Sequence, residues 1–172
     1  MRSYWFLFMG GLGAIFPFFG LYFRENAGLS GTQVGVVLAA LPVTGFLAQP
    51  LWGQVADRTG SRARVLAGVS MGAGITYLLV PLADGFLANL AVMALVAFFS
   101  TATIPMATSV TLAGLGRDGA SAFGTVRVWG TVGFLVIVVA LPFLLDRLEA
   151  AAGVVASEAV SEPLLGVIFA VA

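Results

Sequence analysis

Chemistry in this chain falls to arginines, carboxylates and hydroxyls, because neither cysteine nor histidine occurs among its 172 residues. Disulfides, thiolate nucleophiles, His or Cys haem ligation and the usual zinc sites are excluded together, and no cofactor or metal is expected. Two places remain. The segment GQVADRTGSRAR (53–64) gathers Asp57, Arg58, Arg62 and Arg64 around Gly53 and Gly60. The second is Arg127, set in an apolar run and followed at helical spacing by Gly130, Thr131 and Phe134.

Each place has a physical reading. Gly60 permits a positive-φ turn, Gly53 permits close helix approach, and Asp57 can accept from helix N-terminal amides or from an arginine. Arg127 lies about five residues into its run, roughly 8 Å along at ~1.5 Å per residue. A charge at membrane depth is costly unless it meets water, a partner or a ligand, so Arg127 either serves a ligand or gate, or snorkels to the interface. Gly130 would leave room for a ligand, and Phe134 would offer it an aromatic plane.

The elements that carry these residues are membrane helices. The chain is 60% hydrophobic and 9% charged with a mean hydropathy of +1.05, whereas a soluble domain has about 25% charged residues. Apolar runs long enough to cross a bilayer, about 20 residues, fall at 4–23, 34–56, 65–83, 86–113 and 122–145, and another opens at 163 and reaches the last residue, 172. No period-2 alternation of a barrel is present, and backbone groups in hydrocarbon must pair internally, so the runs are helices. The run at 4–23 is long for a signal peptide and lacks a small-x-small cleavage site. The segment 146–162 reads as a solvated loop.

If each run crosses once, one side collects Arg2, Arg58, Arg62, Arg64 and Arg117, and the other only Arg24 and Arg147. The arginine-rich side is expected to be cytoplasmic, with the N-terminus there. A formal net charge of +0 argues against a nucleic-acid partner. The glycine-rich stretches lie inside apolar spans and follow no soluble strand, so a nucleotide-cradling loop is not expected.

The turn GQVADRTGSRAR fits GxxxDRxGxR, and so resembles the signature of the major facilitator superfamily, found there between the second and third helices. Ser61 stands where that family often has a second basic residue. Further segments, GAIFPFF (13–19), the approach Gln49-Pro50-Leu51-Trp52-Gly53 and FGTVRVWGTVGF (123–134), are similar to the lactose permease, nucleoside symporter and phenylpropionate permease-like group of that superfamily. The resemblance implies an all-α integral membrane fold, the N-terminal six-helix half of a major facilitator protein, with five complete spans and part of a sixth. It also implies a missing C-terminal six-helix half as partner, and a location in the plasma membrane, in bacteria the inner membrane.

The resemblance gives Asp57, Arg58 and Arg62 the role of a state-dependent latch, and gives Arg127 the place of a sugar-binding arginine. That arginine's acidic partner would fall near Ser109, which is uncharged, and Phe134 stands for a tryptophan. Thr101, Thr108 and Thr111 on the fourth run either line a polar cavity or bond to neighbouring backbone. The expected function is secondary active transport of a small organic solute by alternating access, with proton symport implied only by the resemblance. A non-transporting assembly or interaction subunit built on the same half-fold is the other class, and an enzyme is not expected.

Overall fold

A computed structural model describes residues 1–116 and 119–152. Arg117, Asp118 and the apolar run at 163–172 lie outside the described residues. The described residues form helices and no strand: α1 (Arg2–Ile15), α2 (Phe19–Glu25), α3 (Gly31–Thr59), α4 (Arg62–Leu79), α5 (Gly85–Leu115) and α6 (Gly119–Ala152). α1 and α2 make one span, joined by a 3₁₀ turn at Phe16–Phe18 where Pro17 lacks the N–H that an α-helix would use. By length and composition the described residues contain 5 helices able to cross a membrane.

Local chemistry sets the helix ends. Ser30 caps α3, its Oγ accepting from the Gln33 N–H while Gln33 Oε1 accepts from the Ser30 N–H. That capping box starts the helix at Gly31, earlier than the apolar run at 34–56 suggests. At the far end, α6 continues to Ala152, into the segment expected to be a loop. The sequence there explains it: Leu148, Glu149 and the alanines that follow are strong helix formers, with neither Gly nor Pro before Gly153.

α1 packs mainly on α6, α3 on α5, and α4 on α5. The contacts are close because glycines face them. A Cβ on Gly133 would collide with the Phe6 carbonyl, one on Gly130 would lie 2.9 Å from Met9 Cγ, and one on Gly45 would lie 2.9 Å from Thr101 Cγ2. Lipid tails remove most of the hydrophobic drive between helices, so such backbone-level packing is what holds membrane helices together.

The pairing has an internal order. Pro17 and Pro105 are as far apart in sequence as Gly31 and Gly119, the first residues of α3 and α6, and as Gly45 and Gly133. The same shift therefore turns the α3–α5 contact at Gly45 into the α6–α1 contact at Gly133. Among the described residues this shared offset relates α1 and α3 to α5 and α6.

Large apolar side chains cover the outside, among them Phe46 at 80% and Leu7 at 70% exposure, which suits a surface solvated by lipid. Buried side chains form two clusters, one at each end of the bundle. The first, around Phe19, Phe23 and Met93, knits α2 to α3, α4 and α5. The second, around Trp5, Leu66, Met106 and Val126, underlies the arginine-rich turn.

Candidate functional site

α3 ends at Thr59, whose hydroxyl donates to the Val55 and Ala56 carbonyls. Gly60 then takes φ 62° and ψ 9°, the left-handed conformation that favours glycine, and α4 begins at Arg62. This tight reversal sets Arg62 beside Asp57: Nη2 donates to Oδ1 at 3.2 Å. The Nη1 of the same guanidinium donates to Ser109 Oγ on α5 at 2.9 Å. Arg62 therefore joins both arms of the turn to a third helix.

Both partners of the ion pair are well exposed, 55% for Arg62 and 69% for Asp57. Such a pair contributes about 0–1 kcal/mol, so it sets geometry more than stability. Arg58 and Arg64 are exposed and make no ion pair among the described residues. Gly53 differs from expectation: a Cβ there would meet nothing within 4 Å, so no close approach depends on it among the described residues.

Arg127 sits at the same end of the bundle. α6 starts at Gly119, earlier than the apolar run at 122, and this places Arg127 about 12 Å from the helix start at ~1.5 Å per residue, farther than the run implied. Its side chain is exposed, and among the described residues it makes no hydrogen bond or ion pair. The guanidinium carbon instead lies 6.0 Å from the ring centroid of Trp5 on α1 and 6.0 Å from that of Phe123, at cation–π range. Trp5 and Phe123 meet edge to face, 6.3 Å apart at 82°.

Trp5 is wholly buried. Its Nε1 donates to Thr111 Oγ1 at 3.0 Å, and the Thr111 hydroxyl donates onward to the Ala107 carbonyl at 2.7 Å. Thr111 thus braces a neighbouring helix. Thr101 is used similarly, its methyl against Gly45 and its hydroxyl on the Ala97 carbonyl. Of the three threonines expected to share a face, these two serve packing, and Thr108 is half-buried.

Arg127 and Phe134 both lie along α1, but Gly130 between them is buried against Met9 and leaves no ligand space. Phe134 is half-buried, its ring edge 3.2 Å from where a Gly13 Cβ would be. Thr131 is exposed. Trp5 and Phe123 are contacts that sequence reasoning had not paired with an arginine, and Ser109, expected near the partner position of Arg127, bonds to Arg62. Trp5 carried a signal all the same, as a tryptophan on a glycine-rich helix that must bring its N–H to an acceptor when buried.

Five apolar crossings, a charged reversal between the second and third, and a lone arginine on the last define an all-helical integral membrane protein with polar machinery at one end. Comparison with known proteins agrees. The model of the MFS_1 like family matches residues 1–171, and the chain belongs to that family, one of membrane transporters rather than enzymes. The chain is 30% identical over 145 residues to a maltose permease of Geobacillus stearothermophilus, covering 84% of this chain and 36% of that protein. It is also 30% identical over 145 residues to the uncharacterized transporter YwbF of Bacillus subtilis (strain 168), with the same 84% and 36% coverage. The chain thus spans about a third of the length of these curated relatives. No solved structure gives a significant match.

Proposed function

We propose that this chain is the N-terminal half of a secondary active transporter that moves a small polar organic solute by alternating access. The observation that carries the proposal is Arg127, a cation on a membrane span whose donors meet no protein acceptor among the described residues. Charges within spans mark substrate or ion pathways because burial there is otherwise unfavourable. A guanidinium offers donors in a fixed fork that suits paired oxygens such as vicinal hydroxyls or a carboxylate. The similarity to a maltose permease favours a sugar, with Thr131 and Phe134 farther along the same helix as additional contacts.

In this reading the turn of Gly53, Asp57, Arg58, Gly60, Arg62 and Arg64 is the conformational latch. Its arginines keep the turn and the N-terminus in the cytoplasm of a cell whose plasma membrane holds the protein. A second six-helix half completes the cavity, and a proton gradient supplies the driving force. The experiment is uptake of maltose, nucleosides and aromatic acids by vesicles carrying the complete gene product, with and without a pH gradient. Uptake of one class that Arg127→Ala abolishes, with membrane insertion intact, is the expected result. Normal uptake by Arg127→Ala would remove the arginine from the cavity.

A further inference from the structure

We infer that Trp5 is the positioning residue for Arg127, and that Thr111 holds Trp5 in the orientation this requires; the inference rests on the reading of Arg127 as the ligand-binding cation. An exposed arginine has many rotamers, and a ligand that must order it loses affinity. An acidic partner would order it but would also occupy its donors. Near Ser109 on α5, where the family resemblance places such an acid, this chain carries no charge, and the Ser109 hydroxyl is engaged by Arg62.

The aromatic seat orders the guanidinium in a different way. Trp5 is wholly buried, so its ring can hardly move. Its one polar atom is tied to Thr111 at 3.0 Å, and the Thr111 hydroxyl, already donating to Ala107, turns a lone pair toward the indole. Phe123 meets Trp5 edge to face, and the guanidinium carbon lies 6.0 Å from each of the two rings. A cation drawn to these rings is attracted through its charge, and its N–H groups stay free for the oxygens of a ligand. The seat thus prepares a site for a ligand bearing two neighbouring oxygen acceptors.

The test uses the full-length protein in vesicles with maltose as probe. Thr111→Val keeps the side-chain shape and removes the acceptor, and Trp5→Phe keeps a ring without the N–H. Each should raise KM about fivefold with little change in maximal rate, as expected for losing part of one cation–π contact. Trp5→Leu should raise it further, with Phe an intermediate rescue. A merely structural role would lower yield and maximal rate and leave KM unchanged.

A second readout needs no transport. In a full-length variant in which every tryptophan except Trp5 is replaced by phenylalanine, Trp52 and Trp129 among them, Arg127→Gln should shift the Trp5 emission. An unshifted spectrum, or an unchanged KM in the Thr111 and Trp5 variants when Arg127→Ala abolishes uptake, overturns the seat and leaves the transport reading standing. Normal maltose uptake by Arg127→Ala, with the emission shift still present, overturns that reading and the ligand-positioning role together, the ring contact itself surviving.

Discussion

Arg62 and Ser109 meet across two helices, the guanidinium Nη1 donating to the hydroxyl oxygen at 2.9 Å while Nη2 holds Asp57 at 3.2 Å. Two residues farther along α5, Thr111 receives the Trp5 indole. The end of α5 is therefore gripped from one side by the arginine-rich turn and from another by the helix that seats Arg127.

Asp57→Asn tests the latch apart from the fold. The ion pair is exposed, so thermal unfolding should shift by less than about 1 kcal/mol in equivalent stability. Uptake should nevertheless drop up to about fivefold if the pair stabilises one access state by ~1 kcal/mol. Initial rates and melting curves of the same preparation decide it, and unchanged rates would reduce the turn to a structural reversal.

The orientation is open to labelling. Residues 1–172 hold no cysteine, so in a full-length protein in which any cysteine elsewhere is replaced by serine, Ser61→Cys introduces a single thiol in the turn. A membrane-impermeant maleimide should modify it in inside-out vesicles and spare it in right-side-out ones. Modification from the outside alone would invert the topology assigned to the arginines.

Glycine substitutions should separate by position. Gly133→Val puts a branched side chain where even a Cβ would strike the Phe6 carbonyl, and it should drive α1 and α6 apart. We expect loss of folded protein in detergent, read by size-exclusion chromatography. Gly68→Ala on α4 meets nothing within 4 Å and should be neutral or slightly stabilising, because alanine favours a helix over glycine by about 1 kcal/mol.

At Gly60 the constraint is conformational. The site is open, yet its φ of 62° is one that a β-branched residue rarely adopts. Gly60→Val should destabilise by about 1–2 kcal/mol, visible as a lowered melting temperature, whereas Gly60→Asn should recover much of the loss.

Much of the architecture was legible because a bilayer imposes a simple rule. Apolar length alone pointed to the five long helices among the described residues, and the cluster of Asp57, Arg58, Arg62 and Arg64 marked the turn between the second and third. Helix ends were less legible: the Ser30–Gln33 box and the helix formers after Leu145 extend α3 and α6 past the apolar runs that announced them. Pro42, Pro50 and Pro105 lie inside helices that continue through them, since neighbouring helices and hydroxyls can satisfy the freed backbone groups.

What the linear chain determined by itself was membrane residence, the helical state of the spans, the charged reversal and the isolation of Arg127, because each follows from local composition in a solvent that offers no hydrogen bonds. Only the tertiary structure decided which side chains meet: Arg62 with Ser109, Trp5 with Thr111, and Arg127 over two rings instead of an acid. Those pairings join residues distant in sequence. They depend on how closely the glycines of α1, α3 and α6 let the helices approach and rotate, a property of packed surfaces that no single helix encodes.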